Sequence, residues 1–193
     1  MRVVHGDIAD PKTAPGLVDR DDISVFHLAS VVSGGGEKDF DLAMAVNLHG
    51  GLALFEAMRA RDGVPRLVFA SSIAVFGGSG MPEVVGDDVK QTPQTTYGMT
   101  KAVCELLIND YTRKGFFDGR SARLPTVIVR PGKPNAAASS FVSSVFREPL
   151  NGEANVNDRG WVFDVQRSGT GATTASLEPG VGESGSDGAR IYK

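Results

Sequence analysis

Residues 66–77 read Arg66-Leu-Val-Phe-Ala-Ser-Ser-Ile-Ala-Val-Phe-Gly77, and after a Gly- and Pro-containing loop the chain continues Tyr97-Gly-Met-Thr-Lys101. Arg66–Ala70 is apolar almost without interruption, as a strand buried on both faces of a parallel sheet would be. Tyr97 opens a helical pattern that runs to Arg113 and stops before Lys114-Gly115. Outward from this pair the alternation repeats. Ile23-Ser-Val-Phe-His-Leu-Ala29 and Thr126-Val-Ile-Val-Arg130 read as further strands, and Arg2-Val-Val-His5 as a short fourth. Phe40 to Arg61 carries an apolar stripe near a 3.6-residue period, stopped by Asp62-Gly-Val-Pro65. Strands alternating with helices predict βαβ units and a three-layer α/β fold. The loops 33–36 and 77–95 leave the carboxyl ends of strands, where open α/β sheets bind ligands.

The composition narrows the functional classes. The 193 residues are 41% hydrophobic, enough for one domain with a core. The net charge is −3, with no strongly basic segment, which argues against nucleic acid or an anionic membrane surface as a partner. No apolar run has the length of a spanning helix, and Met-Arg-Val-Val-His-Gly-Asp is not a signal peptide, so a cytoplasmic location is expected. The single cysteine, Cys104, excludes an internal disulfide. His5, His27 and His49 lack metal-ligand spacing with it, so no metal site is predicted. Cys104 itself reads as a small core residue.

Tyr97 and Lys101 lie four apart on one helical face. An ammonium beside a phenol favours the phenolate, which can take a proton from an alcohol or return one to a ketone. Ser72, at the end of the preceding strand, can orient the same substrate oxygen. These are the proton-handling parts of a hydride-transfer site; the hydride carrier must be a nicotinamide. The pair alone equally fits a half-buried tyrosine beside a snorkelling lysine. Four other features are ambiguous in isolation. Asp7, in Gly6-Asp-Ile8, is either a ligand for an amino group such as that of adenine or a turn residue. His27 ends a strand and reads as a core histidine. Asn47 is a poor helix former inside a helix, suited to binding backbone carbonyls or a water. Arg147 suits a substrate carboxylate or a solvated surface.

Taken in order, Gly6-Asp7-Ile8, His27-Leu-Ala29, Asn47, Ser71-Ser72-x-x-Val75-Phe-Gly77, Tyr97-x3-Lys101 and Arg130-Pro131 resemble the extended short-chain dehydrogenase/reductases, the NAD-dependent epimerase/dehydratase group. The resemblance implies a Rossmann-like doubly wound parallel sheet and NAD as cofactor. It implies Tyr97 as acid/base, Lys101 on the nicotinamide ribose, Ser72 orienting the substrate oxygen and Asn47 supporting a proton relay. Asp7 and Ile8 would contact adenine, and Leu28, Ala29 and Pro131 would line the cofactor site. Within the family, Val129–Leu150 looks like the D-erythronate dehydrogenases, which implies oxidation of the 2-hydroxyl of a small sugar acid. Arg147 would hold its carboxylate, and Ser139 and Ser140 its hydroxyls. Phe76 stands where nucleotide-sugar epimerases commonly have tyrosine, a mild argument against an epimerase or dehydratase of the same family. Many relatives dimerise through the helices equivalent to Phe40–Arg61 and Tyr97–Arg113, so a homodimer is expected by analogy.

Two departures set further expectations. No G-x-x-G-x-x-G precedes Gly6, so the domain at 1–153 reads as a truncated NAD-binding fold lacking the first βαβ unit, with weak or no NAD binding. Loss of the central strands would leave unpaired edges. Residues 154–193 are rich in Gly, Ser, Thr, Asp and Asn and read as a tail that is disordered or weakly packed. A non-catalytic remnant is the alternative from another class.

Overall fold

The computed structural model describes residues 3–86, 88–127 and 140–152, together with the backbone of three strands at 155–156, 161–167 and 173–179. By its internal contacts the chain divides into two units. One comprises Met1–Thr126 with Ala136–Ala138, the other Val127–Asn135 with Ser139–Lys193.

In the first unit the elements run α1 (Thr13–Leu17), β1 (Ser24–His27), α2 (Ser33–Lys38), α3 (Phe40–Ala43), a π-helical segment (Met44–His49), α4 (Gly50–Arg59), β2 (Arg66–Ser72), α5 (Thr96–Arg113) and β3 (Asp118–Leu124). A single 3-10 turn, Ile73–Val75, follows β2. The strands form a parallel sheet in the order β1-β2-β3. Ser24 pairs with Arg66 and His27 with Phe69; Arg66 pairs with Asp118 and Ser72 with Leu124. Parallel strands joined by helices are the α/β architecture that the alternation predicts.

The core lies between this sheet and α4, α5 and α1. Phe55, Met58, Ile108, Cys104, Leu67, Phe69 and Phe117 are buried together, with Ala14 and Val18 of the α1 segment. Phe55 stacks edge-on or tilted against Tyr111 and Phe117, ring centroids 6.3 and 5.9 Å apart, within the favoured range for aromatic pairs.

Three expectations are corrected. The strands are not buried on both faces. Along β2, Leu67, Phe69 and Ser71 are buried, while Val68 between them is 37% exposed and Phe26 of β1 is 69% exposed. Helices α4 and α5 supply apolar cover to one face, and the described residues bring no helix to the other. Next, the third strand is Asp118–Leu124. Thr126 and Val127 lie beyond its end, and residues 128–130 fall outside the described residues. The more buried positions of Asp-Gly-Arg-Ser-Ala-Arg-Leu are Gly119, Ser121 and Arg123, with no apolar side chain among them, and so the run hides a strand. Finally, residues 3–5 of the expected short strand are exposed and form no strand among the described residues, while Arg2 lies outside them.

The long first helix is three pieces rather than one. Asp39 caps α3, its side chain accepting from Leu42 N. The wider π-helical turn at Met44–His49 then breaks the regular ladder. Asn47 lies in this turn, and such turns mark functional positions in many helices.

The second unit holds α6 (Ser140–Leu150) and an antiparallel sheet, β4 (Asn155–Val156), β5 (Trp161–Arg167) and β6 (Thr173–Pro179), in that order. Strand backbone is thus present in part of the stretch expected to be weakly packed. No helix among the described residues is long and apolar enough to cross a membrane.

Candidate active site

Helix α5 is fastened to the end of β2 at three points, and Ser72 lies between them. Lys101 Nζ donates to the Ala70 carbonyl at 2.7 Å. Glu105 accepts a hydrogen bond from Ser71 Oγ. At the start of the helix, Gly98 presses on the 3-10 turn: a Cβ there would stand 2.1 Å from the Ala74 carbonyl oxygen. Only glycine allows that approach. Residues 70, 71 and 74 are therefore held against one helical face, and Tyr97 is adjacent to the glycine. Thr95 caps the helix by accepting from Gly98 N at 3.0 Å.

Ser72 Oγ accepts from Ala74 N at 3.1 Å, closing the turn that presents it, and the residue remains partly accessible. Tyr97 is likewise half-buried. The Lys101 ammonium lies 5.5 Å from the Tyr97 ring centroid and 4.6 Å from that of Phe69. Burial, at 3% exposure, brings the Lys101 pKa down to about 8. At pH 7 the ammonium still outnumbers the free amine by about ten to one. A positive charge therefore stands near the Tyr97 ring.

Asn47 is buried and fully engaged. Its Oδ1 accepts from Val31 N at 2.7 Å and from Ser30 Oγ at 3.1 Å. Its Nδ2 donates to the Val31 carbonyl at 3.0 Å and to Thr100 Oγ1 at 3.4 Å. Thr100 in turn donates to the Tyr97 carbonyl at 2.9 Å. Asn47 thus ties the loop after β1 to the helix of Tyr97 and Lys101. Nearby, burial first and the Lys101 charge second push the His27 imidazole down to about 4, so it is neutral, and its Nε2 has no hydrogen-bond partner among the described residues. It packs at 5.4 Å on Phe69 and reads as core.

The other sequence-predicted residues divide. Leu28 and Ala29 are exposed at the carboxyl end of β1, the end at which Ser72 sits on the neighbouring parallel strand. Asp7 is exposed and accepts from Ala9 N at 2.9 Å, closing its own turn. Ile8 backs onto the first residue of α4, where a Gly50 Cβ would stand 2.8 Å from the Ile8 carbonyl oxygen. Pro131 and Ser139 lie outside the described residues. Ser140 and Arg147 belong to the second unit, where Arg147 bonds Glu148 Oε1 at 2.5 Å and Ser144 Oγ at 3.4 Å. No cluster of three metal-ligating side chains occurs among the described residues.

Sequence reasoning missed Glu105, Gln91 and Arg123. The available signal was a carboxylate one turn beyond Lys101, set in the otherwise apolar run Ala102-Val-Cys-Glu-Leu-Leu-Ile.

Comparison with known proteins bears on this arrangement. Residues 1–171 match the model of the NAD dependent epimerase/dehydratase family. The chain is 56% identical over 154 residues to a D-erythronate dehydrogenase of Cupriavidus necator, covering 80% of this chain and 47% of that protein. It is 52% identical over 153 residues to a D-erythronate dehydrogenase of Haemophilus influenzae, covering 79% and 48%. Among solved structures, a nucleoside-diphosphate-sugar epimerase from Agrobacterium tumefaciens superposes with a TM-score of 0.72 at 47% identity, over 83% of this chain and 48% of that one. The chain spans about half the length of the curated relatives it matches.

Proposed function

The chain belongs to the NAD dependent epimerase/dehydratase family, and on that premise we propose that it carries the proton-handling site of a dehydrogenase that oxidises the 2-hydroxyl of a small sugar acid such as D-erythronate, with NAD as the hydride acceptor. The observation that supports this most is the fastening of α5 to the end of β2, which brackets Ser72 beside the helical turn of Tyr97 and Lys101. Similarity above half identity to two D-erythronate dehydrogenases points to the substrate class.

Ser72 Oγ holds the substrate hydroxyl oxygen and Tyr97 Oη takes its proton. The ammonium of Lys101 stabilises the phenolate that this requires. A bound nicotinamide would supply the hydride acceptor, so the alcohol loses a hydride and a proton and becomes a ketone. Lys101 also offers hydrogen bonds for a cofactor ribose, with Leu28 and Ala29 along the cofactor's path. Asn47 supports the relay by fixing the loop after β1, and Asp7, Ile8 and Pro131 are assigned to the cofactor. Arg147, Ser139 and Ser140 are assigned to the carboxylate and hydroxyls of the substrate. A cytoplasmic homodimer is the expected form.

The test is NAD reduction with D-erythronate. It is measured on the full chain, and on the C. necator relative with its matched segment replaced by the corresponding residues of this chain. Turnover that falls about 100-fold or more in Tyr97→Phe supports the proposal. A folded replacement enzyme without turnover overturns it. A second reading, epimerisation or dehydration of a nucleotide sugar, draws on the similarity to the A. tumefaciens structure; conversion of a UDP- or dTDP-sugar without net NAD reduction would favour it.

A further inference from the structure

Glu105 is 3% exposed, and with Lys101 it is one of two ionisable residues buried on α5 apart from Cys104. It continues the face of Tyr97 and Lys101 at the next helical step of four. Its carboxylate collects donors from three separate segments. Ser71 Oγ donates from the end of β2. Gln91 Nε2 donates at 2.5 Å from the long loop between β2 and α5. Arg123 donates from β3 through Nε at 3.0 Å and Nη2 at 2.8 Å. The same guanidinium lies 5.0 Å over the Phe76 ring, just after the turn that holds Ser72. A buried carboxylate needs this full set of partners to be tolerated at all.

We propose that Glu105, braced by Arg123, is a positioning residue that sets Ser72 against Tyr97 and Lys101. The physical argument is one of leverage. Ser71 immediately precedes Ser72 and shares its backbone, so the Glu105–Ser71 bond fixes the strand end to the helix one turn beyond Lys101. Phe76 follows the turn, and Arg123 holds it from the other side. The segment 71–76 is thereby clamped between its two ends by a single ion pair. Glu105 touches neither substrate nor cofactor in this assignment. It acts on the distance between the hydroxyl and the phenol, to which proton transfer is sensitive. The catalytic meaning of that distance rests on the proposed dehydrogenase function, whereas the clamp itself does not.

The experiment is therefore read in two ways. Hydrogen exchange is measured on the full chain with Glu105→Gln and, separately, Ser71→Ala. Glu105→Gln keeps the side-chain volume and one carbonyl acceptor but removes the charge that binds Arg123. The expected result is exchange about tenfold faster at the amides of Ala74 and Phe76, with the amides of Phe55 and Met58 unchanged. Uniform acceleration in both segments, or none at 74–76, overturns the proposal. If Glu105→Gln does not fold, Ser71→Ala gives the same reading with the ion pair intact. In the replacement enzyme, kcat falls about tenfold while the KM for NAD is unchanged. Glu105→Gln and Ser71→Ala together lose no more than the larger single loss. Additive losses, or a changed KM with constant kcat, count against the proposal. Absence of turnover in the unsubstituted enzyme would reject the dehydrogenase reading and leave the exchange result to decide the role of Glu105.

Discussion

Lys101 Nζ is bonded to the carbonyl oxygen of Ala70 at 2.7 Å. One side chain therefore supplies the positive charge beside Tyr97 and also joins its helix to the strand that ends in Ser72. Burying that ammonium works against folding, because its pKa drops from 10.5 to about 8. Between those values the unfolded chain keeps a proton that the folded chain has lost, so this group makes stability rise with pH across the window. Cys104 opposes it: burial raises the thiol from 9.0 to about 11, which lowers stability as pH rises over that range. The contribution of Lys101 is isolated by comparison with Lys101→Met. The difference between the two urea-unfolding curves should narrow by about 3 kcal/mol from pH 8 to 10.5. A constant difference would refute the assigned shift. Lys101→Met should abolish activity without lowering stability at pH 7.

The contact between Gly98 and Ala74 predicts a different failure. A methyl group at residue 98 would stand 2.1 Å from a backbone oxygen, which no rotamer change can relieve. Gly98→Ala should cost about 1–3 kcal/mol in chemical unfolding. It should also lower activity beyond what the folded fraction explains, because the helix start must move away from the turn that carries Ser72. Unchanged stability would mean that the helix and the turn are not in contact.

Much of this arrangement is legible in the sequence, and the parts that are not have physical reasons. Strands β1 and β2 are marked by apolar runs, and α5 by its helical pattern from Tyr97 and the Lys114-Gly115 stop. The triplet of Ser72, Tyr97 and Lys101 stands out because the proton transfer proposed for it restricts residue type. Strand β3 is hidden because Gly119 and Ser121 face α5, where close packing favours small residues over apolar ones. The π-helical turn at Met44–His49 leaves no periodic signature beyond the presence of Asn47 itself. Glu105 is invisible as a hub because its partners, Ser71, Gln91 and Arg123, come from three distant segments.

His27 predicts the acid limit of the fold. Its imidazole is 4% exposed and held near pKa 4, against 6.5 when exposed. Below pH 6.5 the unfolded chain takes up a proton that the folded chain refuses. Stability from this group is therefore complete above pH 6.5 and lost as pH falls toward 4, by about 3 kcal/mol. His27→Phe should remove that part of the slope in urea unfolding measured from pH 7 to 4. An identical slope in the variant would show that carboxylates alone set the acid limit.

Asn47 separates holding a loop from moving a proton. Its oxygen accepts from Val31 N and Ser30 Oγ, while its nitrogen donates to the Val31 carbonyl and Thr100 Oγ1. Asn47→Leu keeps the branched outline of the side chain but strands the Val31 amide and carbonyl, and should cost about 2–3 kcal/mol. Asn47→Asp keeps the oxygen that accepts from Val31 N and Ser30 Oγ, but it sets a buried negative charge and a second oxygen against the Val31 carbonyl, so thermal unfolding should show it destabilised as well. Activity then discriminates. If Asn47 acts only by fixing the loop after β1, kcat in the two variants should follow their stabilities. If its amide also supports proton movement near Tyr97, both variants should be about tenfold or more slower than their folded fractions explain, with a shifted pH–rate profile. The first outcome is expected, because Thr100 links the Asn47 amide to the backbone carbonyl of Tyr97 and not to its hydroxyl.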